Sequence, residues 1–230
     1  MITPRTWQEC RDFACFLGGP NPALTPEQPY SVVEYERVSQ MYGDSIAMMK
    51  KYDSIFVDSI TVAGRLCFQY CLGHVDNKSD RTGKIDTRSV YGMQGREMMS
   101  WLTHLQHIRE KNVIFVGILD EKVDDYGRKL FDLQIGGAKT GREMPGIVDE
   151  LITMAILTGE NGQFRAFVCN PLNEWGYPAK DRSGRLDTLE EPHLGKLLNK
   201  MSVGAPQAER PLSFVDPNTQ HSSEGELENA

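Results

Sequence analysis

The chain has 230 residues, of which 40% are hydrophobic and 25% charged, as is usual for a globular domain. Its formal net charge of −7 excludes a uniformly positive surface, so any contact with nucleic acid must come from a local basic patch. There is no run of 18 apolar residues and no secretory signal, so we expect no membrane association and a cytoplasmic location. The five cysteines have no zinc-ligand spacing, and we expect free, buried thiols.

Helical periodicity predicts three helices before the first strand. Residues 5–17 carry apolar side chains at helical spacing, and Thr6 is a suitable N-cap. After a proline-rich loop over residues 18–30, further helices are expected over residues 31–41 and 45–51.

Asp58 is the most informative residue of this region. It follows the short apolar run Ser54 to Val57, which predicts four buried strand residues with an acid at the carboxyl end. A carboxylate in that position is typical of a Walker B element and can hold the Mg²⁺ that bridges nucleotide phosphates. An acid after an apolar strand is also common without any such role.

The next segment predicts a β-α-β unit. We expect a helix over residues 61–72, a long polar loop over 73–89, a helix over 90–110 and a buried parallel strand over 112–119. Ligands in such sheets bind beyond the carboxyl ends of the strands, where Asp58 and the pair Asp120 and Glu121 are expected to lie. The sequence therefore places a candidate nucleotide site at this edge.

The loop over residues 73–89 is the candidate DNA-binding segment. Its cations Lys78, Arg81, Lys84 and Arg88 could contact phosphates, although three aspartates alternate with them. The loop contains no aromatic residue that could stack on a base, and a solvated, nearly neutral loop is the alternative.

Later residues predict antiparallel structure and a tail. A hairpin is expected around residues 124–127, and strands near 147–157 and 164–170 are joined by a turn at 160–162. We assign residues 1–202 to one core and residues 203–230 to a disordered acidic tail.

No segment of the sequence fits the phosphate-loop motif G-x-x-x-x-G-K-[ST]. The pair Lys139 and Thr140 comes nearest, but Leu133 and Ala138 stand where the motif has glycine. A phosphate loop also needs a strand before it and a helix after it, whereas Pro145-Gly146 predicts a turn here. We therefore reject this segment as a phosphate loop.

The chain from Arg5 to about Met201 resembles phage-associated, RecA-like AAA-type ATPases that are grouped with single-strand annealing and recombination proteins. The matching landmarks are Arg5-Thr-Trp7, Tyr52-Asp-Ser-Ile-Phe-Val-Asp-Ser59, Tyr91-Gly-Met-Gln-Gly-Arg-Glu97, Lys139-Thr-Gly-Arg-Glu-Met-Pro-Gly-Ile-Val-Asp-Glu150 and Ala179-Lys-Asp-Arg-Ser-Gly-Arg-Leu186. The resemblance implies an α/β, RecA-like P-loop NTPase core: a mostly parallel central sheet flanked by helices. The first strand and the phosphate loop of the family are missing from this chain.

The same resemblance implies functions for particular residues. Asp58 would organise Mg²⁺ beside ATP, with Ser59 as its neighbour in an Asp-Ser pair. The loop over 73–89 would correspond to the first DNA-binding loop of recombinases, and the hairpin over 120–138 would lie near the second. The implied partners are single-stranded DNA, further copies of the chain, and recombination or single-strand-binding proteins, in the host cytoplasm if a phage encodes the protein.

Lys139 and Arg142 have two interpretations. They lie three residues apart in a segment that we expect to be too rich in glycine for a rigid helix. They could be a solvated basic turn, or they could reach the γ-phosphate on a neighbouring subunit as an arginine finger does.

Two functions remain open on the sequence alone. One is an ATPase domain of a recombination protein whose chain is truncated or whose start codon is assigned late. The other is a non-catalytic DNA-loading or interaction module derived from that fold. The DNA upstream of the Met1 codon distinguishes them: an in-frame G-x-x-x-x-G-K-[ST] indicates truncation, and a stop codon indicates loss.

Overall fold

The computed structural model describes residues 2–79, 83–127, 129–136, 138–160 and 162–202. The helices are α1 (Trp7–Gly18), α2 (Val32–Tyr42), α3 (Ser45–Met49), α4 (Ile60–Gly73), α5 (Thr87–Gln106), α6 (Ala138–Ile147) and α7 (Leu194–Ser202). The strands are β1 (Ser54–Asp58), β2 (Asn112–Val116), β3 (Leu119–Val123), β4 (Lys129–Leu133), β5 (Glu150–Leu151), β6 (Thr153–Gly159), β7 (Gly162–Val168), β8 (Lys180–Asp181) and β9 (Leu189–Glu190). A 3₁₀ turn over Val75–Asn77 follows α4. The tail predicted over residues 203–230 lies outside the described residues.

Side-chain caps begin the first two helices, and the cap at Thr6 was predicted from the sequence. The Thr6 hydroxyl accepts a hydrogen bond from the Glu9 backbone N–H at 3.2 Å, and the Ser31 hydroxyl accepts one from Glu34 at 3.3 Å. Each cap satisfies a backbone donor that the first helical turn leaves without a partner.

The larger core lies between α1, α4 and α5. Trp7 is 1% exposed, and its ring centroid lies 5.6 Å from that of Trp101. The Trp7 indole N–H donates to Glu97 Oε2 at 2.8 Å. This hydrogen bond replaces the one to water that the N–H loses on burial. The cysteines are free and buried, as predicted.

The sequence predicted a mostly parallel sheet, but only one pair of the described strands is parallel. β1 pairs with β2 in parallel, and Asp58 lies opposite Val116. The other described pairs, β3 with β4, β5 with β8, β6 with β7 and β7 with β9, are antiparallel. The prediction was wrong because the buried apolar runs that indicate parallel strands end at Val116.

The prediction that Ser54 to Val57 are all buried was also wrong. Ile55 and Val57 pack against the larger core, whereas Phe56 is 53% exposed. Because side chains alternate along a strand, the β1–β2 pair has one face on the core and one apolar face turned away from it.

The second half of the chain has small cores of its own. β6 and β7 form the expected hairpin, and Ala155, Leu157, Ala166 and Val168 cluster on one of its faces. The strand predicted from residue 147 is interrupted at Ile152, so that β5 pairs with β8 while β6 pairs with β7. Phe167 and Cys169 form a further cluster with Leu197 of α7.

The segment predicted as a glycine-rich turn is a helix. α6 covers Ala138–Ile147 and includes Pro145. Met144 is 5% exposed and belongs to the larger core. Tertiary burial on one side of the segment therefore overrides its low helix propensity.

None of the helices in the described ranges is both long and apolar enough to cross a membrane.

Candidate functional site

Asp58 lies at the carboxyl end of β1, as predicted. Its side chain is exposed, and no described residue forms a hydrogen bond or ion pair with its carboxylate. Ser59 is the N-cap of α4, and its hydroxyl accepts a hydrogen bond from the Val62 N–H at 3.3 Å. Ser59 thus has a structural role at the start of the helix that follows the strand.

The carboxylate of Asp58 could serve as one ligand of a magnesium ion whose other ligands are water and phosphate oxygens. Mg²⁺ at nucleotide sites takes one or two carboxylates from the protein and the rest from water and phosphate oxygens. Across the described residues, no group of three or more His, Cys, Asp or Glu side chains could hold a metal ion. Asp58 can therefore assist a metal that arrives with a nucleotide, but the described residues do not build a metal site of their own.

Asp120 and Glu121 do not act as a pair beside Asp58. Both lie in β3, the first strand of the hairpin, rather than at the end of a parallel strand. Because successive strand residues point to opposite faces, the two carboxylates are turned apart. Glu121 forms an ion pair with Lys129 at 2.7 Å, while Asp120 borders a cleft described below.

The described parts of the candidate DNA-binding loop have regular contacts that the sequence did not predict. Lys78 pairs with Ile85 in an isolated antiparallel bridge, and both Lys78 and Lys84 are exposed. Arg88 does not belong to the loop, because α5 begins at Thr87; it is an exposed residue of the first turn. Arg81 lies outside the described residues.

Asn77 anchors the loop to the helices on either side. It is 2% exposed, its amide donates to the Cys71 carbonyl at 2.7 Å, and its Oδ1 accepts from the Ser89 hydroxyl at 2.6 Å. The Asp86 N–H donates to the Asn77 carbonyl at 2.8 Å. These bonds hold the exposed cations near the ends of α4 and α5.

Lys139 and Arg142 lie in α6, and their side chains lie outside the described part of the structure. α6 follows β4, so a strand–loop–helix order does occur around the Lys-Thr pair, and the prediction of a turn at Pro145-Gly146, one of the two reasons for rejecting it, was wrong. Two differences from a phosphate loop remain. β4 is an antiparallel hairpin strand, and Leu133 and Ala138 still occupy the glycine positions.

A cleft of about 510 Å³ opens between α4, α5 and the β3–β4 hairpin. Phe68 of α4 and Tyr91 of α5 line one side, with ring centroids 5.2 Å apart. Arg65, Asp120 and Lys122 contribute charged groups. The volume falls in the range of small-molecule sites.

Gln94 lies in the lining of the cleft and is 1% exposed. Its Nε2 donates to the Gly64 carbonyl at 2.9 Å, which fixes the orientation of the amide. Its Oε1 has no hydrogen-bond partner. A buried polar atom without a partner costs roughly 1–3 kcal/mol, so such atoms often mark a site that a ligand or water completes.

This cleft was not predicted from the sequence, because its aromatic residues do not lie within the loop. Phe68 and Tyr91 come instead from the two helices that the loop joins. Their positions, 23 residues apart in chain order, gave no local pattern to detect.

Two carboxylates, those of Glu150 and Asp181, lie together where β5, which follows α6, pairs with β8. Glu150 of β5 lies opposite Asp181 of β8, and it accepts hydrogen bonds from the backbone N–H groups of Arg182 and Ser183. Burial, and then the charge of Asp181, raise the pKa of Glu150 to about 7. The pKa of Asp181 is lowered: burial opposes the shift, but hydrogen bonds from Ser183 and Leu186 outweigh it. One proton on Glu150 therefore relieves the repulsion between the two groups.

Two of the landmark segments in the sequence meet at this pair. Arg182 forms an ion pair with Asp149, and the Lys180 ammonium donates to the carbonyls of Pro145 and Val148 at the end of α6. A family model described as an AAA domain matches residues 1–183, which include the first of these segments and the start of the second. The chain belongs to this family. No curated protein and no solved structure matches the chain.

Membership in the AAA domain family implies an ATPase-type domain with the P-loop NTPase fold. The family generally uses ATP and Mg²⁺. In this chain the sheet is small and only partly parallel, and β1 with Asp58 and its neighbour β2 form the parallel part.

Proposed function

We propose that this AAA domain is the RecA-like ATPase part of a phage DNA recombination or single-strand annealing protein. The observation that carries the proposal is Asp58, an exposed carboxylate without a described partner at the end of a parallel strand, within a family match over residues 1–183. In this proposal Asp58 supports Mg²⁺ beside the ATP phosphates, where Mg²⁺ neutralises developing charge.

The DNA contact is proposed for the exposed cations of the loop and of the first turn of α5. Lys78, Lys84 and Arg88 would meet phosphates of single-stranded DNA, and Arg81 would extend the same stretch of chain. Phosphate contacts of this kind are independent of base sequence and weaken steeply with salt. Replacing one of them should therefore lower the salt dependence of binding.

The oligomer is the third part of the proposal. Copies of the chain would assemble on the strand, and Lys139 or Arg142 would reach the γ-phosphate held by the neighbouring copy. Arginine suits this role because its planar group stays charged and can contact two phosphate oxygens. Recombination or single-strand-binding proteins in the host cytoplasm are the proposed partners.

The test uses the protein expressed with whatever in-frame sequence precedes the Met1 codon in the gene. We expect ATP hydrolysis stimulated by single-stranded DNA, abolished in Asp58→Asn and retained in Asp53→Asn, an equivalent change at an exposed residue just before β1. Arg142→Ala and Lys139→Ala should keep ATP binding but lower DNA-stimulated hydrolysis at least about tenfold, the scale of one lost charged contact. Equal hydrolysis by Asp58→Asn and the parent would refute the role of Asp58.

The alternative is a non-catalytic DNA-loading or interaction module. It is favoured by the lack of G-x-x-x-x-G-K-[ST] in the sequence, since that loop supplies the phosphate cradle of P-loop enzymes. A stop codon directly upstream of Met1, together with DNA binding that ignores ATP, would favour this alternative.

A further inference from the structure

A group of cations lies at the amino ends of β1 and β2. The two strands begin side by side, because Ser54 lies opposite Asn112 and the Asn112 N–H donates to the Asp53 carbonyl at 3.0 Å. The residues just before the two strands are therefore neighbours. Within four residues of the Ser54–Asn112 pair they include four cations, the amino-end cluster: Lys50, Lys51, Arg109 and Lys111.

Buried neighbours hold the amino-end cluster at the surface. Met49 packs against the larger core, and Ile108 belongs to that core with 8% exposure. Three side chains of the cluster are exposed, and that of Lys111 is half-buried. Throughout the described residues, no hydrogen bond or ion pair is made to any of these four side chains. Their N–H donors are therefore available to an anion from solvent.

The exposed lysines elsewhere show how unusual this is. Lys122 pairs with Asp132 at 2.8 Å, Lys129 with Glu121 at 2.7 Å, and Lys196 also has a carboxylate partner. Such pairing consumes the donors and cancels the charge that would attract an anion. The amino-end cluster keeps both its donors and its charge.

The amino-end cluster is a local basic patch on an acidic chain. The net charge of the whole chain is −7, whereas the acids next to the four cations are two, Asp53 and Glu110. The loop over residues 73–89 has four cations but three aspartates. The excess of positive charge is therefore larger at the cluster, and a bound polyanion would gain more from it.

Tyr52 adds an aromatic surface to this patch. It follows Lys51 directly and is 58% exposed. Every base has a flat face that can stack on such a ring, and cations combined with exposed aromatic rings are how proteins hold single strands. In a duplex each base face is already covered by its neighbours, so the exposed ring favours a single strand as the ligand.

We propose that the amino-end cluster and Tyr52 bind single-stranded DNA, with phosphates on the cations and a base stacked on Tyr52. The inference rests on the proposed binding of single-stranded DNA and adds a contact surface outside the loop over residues 73–89. Asp58 lies at the other end of β1, roughly 13 Å from Ser54 at the rise of a strand. DNA on the cluster therefore leaves the edge with Asp58 free for a nucleotide.

The experiment measures fluorescence anisotropy of labelled 20-nucleotide strands with the full chain over a range of salt concentrations. The strands are oligo-dT and an abasic strand with the same number of phosphates. Unlabelled oligo-dT, a 20-base-pair duplex and poly-glutamate serve as competitors. We expect oligo-dT to bind about tenfold more tightly than the abasic strand, the scale of one stacked base.

Paired substitutions test the phosphate contacts. Lys50→Gln/Lys51→Gln and Arg109→Gln/Lys111→Gln each remove two cations of the cluster. Each pair should make the slope of log affinity against log salt concentration shallower by about 1.4, because one phosphate contact on a single strand contributes about 0.7. All four substitutions together should change it by about 2.8.

Two further sets of variants locate the contact. Arg165→Gln/Lys196→Gln makes the same change in net charge at exposed residues of β7 and α7, so it is the matched control and should keep the parental slope. Tyr52→Ala should weaken binding of oligo-dT about tenfold and that of the abasic strand hardly at all. Tyr52→Phe keeps a ring and should restore the parental affinity.

The outcomes separate this inference from the proposed function. Equal effects of the cluster variants and of the matched control would overturn the site, because net charge alone would explain them. Parental affinity in the cluster variants, with loss in Lys78→Gln/Lys84→Gln, would overturn the site and leave the DNA contact of the loop standing. Lack of binding to both strands would overturn the DNA-binding function itself.

The competitors test the nature of the ligand. Displacement of labelled oligo-dT by the duplex or by poly-glutamate as readily as by unlabelled oligo-dT would refute single-stranded DNA as the ligand of the cluster. The melting temperature of each variant, read by circular dichroism, shows whether the fold is retained.

Discussion

Glu150→Gln should remove a pH dependence from the stability of the fold. The folded state raises the pKa of Glu150 from its ordinary 4.5 to about 7, so folding favours the protonated carboxyl. A protonated Glu150 contributes its full stability below pH 4.5, and that contribution is lost as the pH rises through about 7. Glutamine imitates the protonated acid at every pH, because its amide can donate to Asp181 and its oxygen can still accept from the backbone.

The size of the effect follows from the pKa. Each pKa unit corresponds to ~1.4 kcal/mol, so a change from 4.5 to about 7 sets an upper limit of ~3 kcal/mol. The carboxyl is only partly buried, and solvent screening reduces this limit to about 1–2 kcal/mol. The parental chain should therefore lose about 1–2 kcal/mol more than Glu150→Gln between pH 5 and pH 8.

Urea unfolding at pH 5, 6, 7 and 8, followed by tryptophan fluorescence, measures this difference. Trp175 packs near the β6–β7 hairpin and reports on the part of the fold that contains Glu150. Glu174→Gln is the control, because it makes the same chemical change at an exposed position. The reasoning is refuted if the parental chain and Glu150→Gln show the same pH dependence.

Three further predictions concern other parts of the molecule. Burial lowers the pKa of His104 to about 4, so the stability contributed by its neutral imidazole is complete above pH 6.5 and is lost as the pH falls towards 4. Acid unfolding should therefore begin at lower pH in His104→Gln, and an unchanged midpoint of acid unfolding would contradict this. The 230-residue chain alone should show no Mg²⁺-dependent ATP hydrolysis above background, because it lacks the phosphate-loop motif; turnover that Asp58→Ala abolishes would contradict this. The chain should self-associate through the β1–β2 pair, because each of these strands has one edge without a described partner. Light scattering should show less association for Phe56→Asp than for Tyr126→Asp, a control in the exposed hairpin turn, and a monomer at all concentrations would refute the prediction.

Local signals predicted the elements whose stability is local. Thr6 was identified as a helix start because a capping hydroxyl is visible in the sequence, and Asp58 was placed at a strand end because an apolar run precedes it. α6 was missed because its glycines and proline oppose a helix, and only the burial of Met144 against the larger core explains it. That burial depends on distant residues and leaves no trace in the segment itself.

The candidate site was predicted in part for the same reason. The position of Asp58 followed from one strand, but the separation of Asp120 from Glu121 depends on a hairpin strand that begins at Leu119, where the sequence predicted the end of a buried parallel strand. Gln94 gave no signal, because a glutamine in a helix is ordinary until its oxygen is found buried without a partner. Site residues whose roles depend on packing between elements could not be read from spacing alone.

The polar contacts around Lys180 have a consequence for how the chain comes apart. The larger core includes residues up to Val148, and the small cores begin at Ile152, so the chain passes from one apolar cluster to the next over residues 148–152. Polar contacts cross this passage: Lys180 donates to the carbonyls of Pro145 and Val148, and Arg182 forms an ion pair with Asp149. The rings of Tyr177 and Phe131 also lie 4.7 Å apart in a tilted arrangement. Ionic contacts weaken with salt while apolar cores do not. High ionic strength should therefore weaken these contacts before either core melts, and the two halves would then unfold as separate cooperative units.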